Sequence, residues 1–194
     1  MYLKIKRITD LLLSLLFVVM FWWVFAVIAL LIICEDRGAV LFRQRRIGKD
    51  KKEFYIYKFR TMKTDTPKDV PTHLLKDPQS YITKIGAFLR KSSLDELPQL
   101  FNIIKGEMSI VGPRPALYNQ YDLIAERDKY GANALTPGLT GHAQVNGRDE
   151  LPIDVKARLD GEYVKNISFI TDVKIILKTI SAVISHDGYK EGTK

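Results

Sequence analysis

One cysteine in 194 residues, Cys34, leaves no partner for an internal disulfide. It closes an apolar run and reads as a small hydrophobe. The three histidines, His73, His142 and His186, are too scattered to spell a zinc site. No internal repeat is visible. Acids are the scarcer charge, with 22 Asp and Glu against 30 Lys and Arg, a net +8. That balance suits an anionic partner: a phosphate ester, a nucleic acid or an acidic headgroup. Most telling is the stretch 11–34, which contains neither a charged residue nor a proline.

As a helix those residues would be about 36 Å long, enough to cross a hydrocarbon core of about 30 Å. A cleaved signal peptide fits poorly: the run is too long, and Cys34-Glu35-Asp36-Arg37 is no small-residue cleavage site. A buried soluble helix fits poorly too, because Leu, Phe, Trp and Val occupy every face. Both flanks are basic: Lys4, Lys6 and Arg7 before, and Arg37, Arg43, Arg45, Arg46 and Lys49 after. Basic flanks prefer the cytoplasmic side. A straight span violates that preference at one end; a segment that enters and returns satisfies it at both. Trp22 and Trp23, mid-segment, also argue against a straight span, since indole favours the interface.

Residues 38–62 read as a hairpin: a short strand over Ala39-Val40-Leu41-Phe42, turn chemistry at Gly48-Lys49-Asp50, and a strand over 54–59. Three prolines in 64–78 predict a loop. A helix is expected over 81–91. A second carries Leu97, Leu100, Phe101 and Ile104 on one face, with a capping box at Ser93-Leu94-Asp95-Glu96 and an end at Gly106. Pro98 places its start close by. Gly112-Pro113-Arg114-Pro115 is a rigid turn, 118–130 a polar helix, and 136–148 a loop. The last helix, 170–185, carries Val173, Ile176, Leu177, Ile180, Val183 and Ile184 as a stripe that packs on the domain or lies on a bilayer. The tail from Asp187 is polar.

The adjacent acids Asp95 and Glu96 invite two readings. Acids at a helix start ordinarily complement its positive end. Alternatively, a carboxylate there attacks phosphorus and forms an acyl phosphate. The second reading needs cations, because two anions repel. Arg114 sits between two prolines that restrict its backbone, a rigid presentation suited to bidentate phosphate binding. Arg90 and Lys91 precede the acids, Lys58 and Arg60 lie near the end of the hairpin, and Arg148 closes a Gly-rich segment. Each alone reads as a solvated surface charge. Their concentration around Gly- and Pro-shaped backbone favours phosphate.

The order of motifs resembles the bacterial sugar transferase family, the monotopic phosphoglycosyl transferases. The residues are Lys6-Arg7; Tyr57-Lys58-Phe59-Arg60-Thr61-Met62; Ile85 through Leu100, containing Arg90 and Ser93-Leu94-Asp95-Glu96-Leu97-Pro98; Met108 through Pro115; Pro137-Gly138-Leu139-Thr140-Gly141; Gln144-Val145-Asn146-Gly147-Arg148; and Tyr163 through Ser168. They run nearly the whole chain, in family order, and its length is similar to that of the small subgroup. The resemblance implies that Asp95 attacks the β-phosphorus of a UDP-sugar and expels UMP. Polyprenol (undecaprenyl) phosphate then takes the sugar phosphate, with Glu96 assisting as base. It implies Mg²⁺ with Asp95 among its ligands, and substrate-binding roles for Lys58, Arg60, Arg90, Arg114, Gln144, Asn146 and Arg148. It assigns Asp160 and Asp172 structural roles, is compatible with a homodimer, and places the protein on the cytoplasmic face of a bacterial inner membrane, at the first membrane step of glycoconjugate synthesis.

Two positions depart from the family pattern: His142 stands where Trp is usual, and Phe21-Trp22-Trp23-Val24 replaces the usual Ser-Pro break. The expected fold is α+β and mainly helical, with an N-terminal membrane-inserted, re-entrant helix, a β-hairpin and interfacial amphipathic helices. Its divisions are 1–36 for the membrane helix, 37–186 for the catalytic domain and 187–194 for the tail. A membrane-anchored nucleic-acid binder is the rival from another class, suggested by charge and by the aromatics of 55–60. No standard binding motif supports it, so no nucleic-acid partner is expected. A non-catalytic scaffold is the other rival, against which the intact Asp95, Glu96 and Arg114 argue.

Overall fold

The computed structural model describes residues 2–66, 78–147 and 151–185. Most of the predicted 64–78 loop, Arg148 and the polar tail lie outside the described residues.

The apolar run is not one helix. Helix α1 spans Tyr2–Met20 and α2 spans Trp22–Glu35, and the two are bent by 63° at Phe21. No single helix among the described residues is long and apolar enough to cross a membrane. The bend forms without proline. Phe21 takes a non-helical conformation, its ring lies 4.6 Å from that of Phe17, and Val24 N–H donates to the Phe21 carbonyl. Tertiary packing explains the turn: Val24, Phe25, Ile28 and Ile32 of α2 are drawn against Phe59 and Leu89 of the domain.

The faces of α1 are inverted relative to a soluble helix. Lys6, Asp10 and Ser14, at i, i+4 and i+8, are buried against the domain. Leu12, Leu13, Leu15, Leu16, Val19 and Met20 point outward, each at least 47% exposed. Lys6 bonds Asp172 at 2.7 Å and lies 3.5 Å from Asp10. Tyr2 and Tyr163 donate to the same Asp172, and Ser109 donates to Asp10. Arg7 donates to the carbonyls of Ile103 and Ile104, at the C-terminal end of the helix Gln99–Lys105. The far end of the pair is tied down as well. Glu35 accepts from the N–H groups of Lys84 and Ile85, and Asp36 pairs with Arg60 at 2.9 Å.

The hairpin is present, with its first strand longer than predicted and shifted: Ala39 and Val40 lie before it. Strand β1, Leu41–Ile47, pairs antiparallel with β2, Glu53–Phe59, around the expected turn. Helix α3, Lys84–Lys91, is capped by Thr83, whose hydroxyl accepts from Gly86 N–H. Gly86 is required there: a Cβ would lie 2.0 Å from the Thr61 carbonyl oxygen. Helix α4, Gln99–Lys105, starts right after Pro98, as the proline dictates, and ends at Gly106. The capping box does not form. Ser93 is left-handed (φ 57°) and makes no cap, and Leu94–Glu96 is a separate 3₁₀ turn. The rigid chain at Pro98 ends one helix-like segment and begins the other.

Strand β3, Ser109–Val111, pairs in parallel with β5, Gly138–Thr140, inside the segment expected to be loop. Strand β4, Ala116–Leu117, joins the free edge of β1, giving the order β2-β1-β4. Helix α5, Tyr121–Asp128, is shorter than predicted. Helices α6, His142–Val145, and α7, Ile153–Lys165, lead to α8, Phe169–Ile184. The packed face of α8 is Asp172, Ile175, Ile176 and Thr179, so the predicted stripe is divided: Ile176 packs inward, whereas Val173, Leu177 and Ile180 are exposed, beside Phe169 and Ile170. The chain is thus α+β and mainly helical, with small sheets.

Candidate active site

Asp95 and Glu96 are carried on the 3₁₀ turn between α3 and α4. The turn follows Ser93, a non-glycine residue in the left-handed region, which costs local strain and aims the next residues inward. Asp95 is buried, at 9% exposure, and Glu96 half-buried. Lys58 enters from β2: its Nζ lies 2.7 Å from Glu96 Oε1 and 3.8 Å from Asp95 Oδ2. Arg114 enters from the turn between β3 and β4, its Nη2 3.7 Å from the same Glu96 oxygen. The hairpin, the helical turn and the Pro-Arg-Pro turn therefore converge on one pair of acids.

What places Lys58 is a residue the sequence reading missed. Asn102 of α4 is fully buried; its Oδ1 accepts from Tyr57 N–H, and its Nδ2 donates to the Tyr55 carbonyl and to Glu107. It thus serves the outer edge of β2 as a neighbouring strand would, and fixes the residue before Lys58 relative to the helix that follows the acids. An Asn set within the apolar stretch Leu100-Phe101-Asn102-Ile103-Ile104 was its only signal.

The two acids titrate in opposite directions. Burial pushes the Asp95 carboxyl above its ordinary value; Glu96 adds to the rise, and Lys58, Arg90 and Arg114 oppose it. Burial would push Glu96 up as well, but Lys58, Arg114 and, behind them, Arg46 outweigh it and hold Glu96 down to about 2. A buried carboxylate whose charge is incompletely compensated is one that gains from a further cation or an electrophile. Among the described residues, no group of three or more His, Cys, Asp or Glu side chains could hold a metal ion by itself.

The other predicted site residues divide. Arg90 donates through Nε to Thr61 Oγ1 at 2.8 Å and lies within electrostatic reach of Asp95. Arg60 is turned away: its guanidinium binds the Asp36 carboxylate and main-chain carbonyl, tying the hairpin to the end of α2. Gln144 donates to the Leu139 carbonyl at 3.2 Å, and its buried Oε1 has no hydrogen-bond partner among the described residues. Asn146 is exposed and donates to the His142 carbonyl. Arg148 lies outside the described residues. His142 faces Glu162 at 3.5 Å. Asp160 pairs with Arg127, and Asp172 with Lys6, as structural acids.

The family model for bacterial sugar transferases matches residues 1–186. The sugar transferase EpsL of Bacillus subtilis, itself uncharacterised, is 43% identical over 78% of this chain and 73% of its own length. The undecaprenyl-phosphate galactose phosphotransferase of Salmonella typhimurium is 36% identical over 80% of this chain and 36% of its own. The UDP-glucose:undecaprenyl-phosphate glucose-1-phosphate transferase of Xanthomonas campestris is 37% identical over 92% and 38%. The chain spans little more than a third of the length of several curated relatives it matches. With the family model matched almost end to end and the acids, lysine and arginine of its motifs gathered at one point, the chain belongs to the bacterial sugar transferase family.

Proposed function

We propose that this protein moves a sugar 1-phosphate from a UDP-sugar to polyprenol phosphate, with Asp95 as the nucleophile. The observation that carries the reading is the Asp95-Glu96 pair bridged by Lys58 and faced by Arg114. The names of the Salmonella and Xanthomonas relatives supply the substrate classes.

An Asp95 oxygen attacks the β-phosphorus, the bond from that phosphorus to the bridging oxygen breaks, and UMP leaves. Lys58 and Arg114 neutralise the phosphoryl oxygens as charge redistributes. An oxygen of the lipid phosphate then attacks the same phosphorus and releases the Asp95 carboxylate, giving a sugar linked to the lipid through a diphosphate. Glu96 accepts the proton of the lipid phosphate when it carries one. Engaged by Lys58 and Arg114, Glu96 is a weak base; phosphate oxygens that draw those cations away raise its basicity. Mg²⁺ fits this donor set, since it uses one or two carboxylates and completes its shell with phosphate and water. Asp95 would hold it, and it would supply neutralising charge. Excess EDTA is expected to stop turnover and added Mg²⁺ to restore it; full turnover in EDTA removes the metal from the account. The reaction itself is tested with UDP-sugars, Mg²⁺ and undecaprenyl phosphate, reading UMP and a lipid-linked sugar. Absence of both with every common UDP-sugar sinks the assignment.

The same reading makes the bent pair a re-entrant membrane segment with the catalytic domain on the cytoplasmic face. Its support is the outward apolar face of α1 over an inward polar one, and the anchoring of both ends, at Arg7 and Glu35, to the same domain. A straight span would carry one anchor to the far side. The exposed Phe169, Ile170, Val173, Leu177 and Ile180 of α8 suit the bilayer surface. A Leu3→Cys probe in a Cys34→Ser background is expected to react with an impermeant thiol reagent only after cells are permeabilised. Labelling of intact cells would make the segment a true span.

A further inference from the structure

Three successive carbonyls of the turn that carries Arg114 are each held from a different part of the fold. Pro113 and Pro115 have no N–H, so the turn cannot hold itself through those residues as a strand or helix would. Instead the Pro113 carbonyl accepts from Gly138 N–H at 2.9 Å. The Arg114 carbonyl accepts from Arg127 Nη1 at 2.9 Å. The Pro115 carbonyl accepts from Arg46 Nη1 at 3.0 Å. Gly138 is required for the first contact, since a Cβ there would lie 2.1 Å from the Gly112 nitrogen.

Each arginine is itself braced. Arg127, 5% exposed, binds Asp160 Oδ2 through Nε at 2.8 Å and through Nη2 at 2.6 Å. Arg46 donates through Nη2 to Gln44 Oε1 at 2.6 Å, and its strand is the one that pairs with both β2 and β4, so it links the lysine strand to the exit of the arginine turn. The proline rings fix φ at 113 and 115, and Pro115 restricts Arg114. The peptide plane after Arg114 is then set by what binds its carbonyl. A guanidinium reaches two acceptors from one rigid plane; a lysine does not.

We propose that Arg46 and Arg127 are positioning residues for Arg114, clamping its turn through the Arg114 and Pro115 carbonyls so that its guanidinium is held beside the Asp95-Glu96 pair without the clamp touching substrate. The sequence analysis counted Arg46 only among the basic flanks of the apolar run and gave Arg127 no role, and the inference rests on the proposed function only for its kinetic arm.

The test measures kcat and KM for UMP release in Arg46→Lys, Gln44→Ala and Arg127→Lys, alone and combined with Arg114→Ala, with hydrogen exchange over residues 112–117. Arg46→Lys and Arg127→Lys are expected to lower kcat by on the order of 10- to 100-fold, the scale of a misplaced catalytic group. KM for the UDP-sugar should change by less than about threefold, because a positioning loss falls on the transition state. In the Arg114→Ala background the same changes should cost almost nothing further, since residues that act as a unit are non-additive. Exchange of the Ala116 and Leu117 amides, in the strand that pairs with that of Arg46, should quicken in Arg46→Lys. Losses that multiply with Arg114→Ala overturn the proposal, as do wild-type rates in both Arg46→Lys and Gln44→Ala. If Arg127→Lys fails to fold, Arg46→Lys and Gln44→Ala decide by the same criteria. An inactive wild type would sink the function while exchange still judges the clamp, and unchanged exchange over 112–117 would sink the clamp alone.

Discussion

Asp95→Asn is expected to lower transfer by on the order of 10⁴- to 10⁶-fold, the scale seen when a covalent nucleophile is removed. The amide keeps the shape of the carboxylate and loses its anionic oxygen. The fold should survive. Burial raises the Asp95 carboxyl, so the fold bears a cost for the charged form that a neutral amide does not impose. A melting curve at or above that of wild type, with no transfer of radiolabelled sugar phosphate, is the expected pair of results. Normal transfer would return Asp95 to the role of a helix-start acid.

Lys58→Met should have the second-largest effect. Lys58 is the cation nearest Glu96 and also reaches Asp95, at 2.7 and 3.8 Å. Its loss leaves two adjacent, largely buried acids with Arg114 and Arg90 as their remaining counter-charges. Diphosphate binding and transition-state neutralisation both weaken, so kcat should fall by about 10²- to 10³-fold, as when one preorganised donor is deleted. Arg46 acts on Glu96 more weakly than Lys58 and Arg114 do, and does not replace it. Activity within a factor of about three of wild type would show that Lys58 only balances charge in the resting protein.

The residues that meet at the candidate site were legible in the sequence because their signals are short-range. Asp95, Glu96 and Arg114 lie in segments whose prolines dictate local shape, and the start of α4 fell where Pro98 required. What could not be read is long-range. The basic flanks and Trp22-Trp23 pointed to a bend, but its cause was not legible: with no local breaker at Phe21, it follows from Phe25, Ile28 and Ile32 packing on a domain that lies far along the chain. Lys6 and Arg7 read as basic flanks of a membrane segment. Lys6 is buried against Asp172, 166 residues later, and Arg7 closes α4, so their charge serves the fold. Arg60 shared a motif with Lys58, yet alternate residues of a strand leave in related directions only while the strand lasts. Beyond Phe59 the chain turns, and Arg60 meets Asp36. The roles of Asn102, Arg46 and Arg127 were not legible because each also binds main-chain groups of a distant segment, which no side-chain pattern announces. The capping box failed because Pro98 separates the 3₁₀ turn from α4, so there was no continuous helix at Ser93 to cap.

The central claim is a covalent sugar-phosphoryl aspartate. It is tested most directly by incubating the protein with a UDP-sugar that it turns over and Mg²⁺, with lipid acceptor withheld, then quantifying UMP and mapping the modified peptide by mass spectrometry. The account predicts about one equivalent of UMP and a sugar-phosphate adduct on Asp95 that undecaprenyl phosphate discharges. UMP release that strictly requires the lipid, with no adduct at any time, would mean direct transfer in one step and would contradict it.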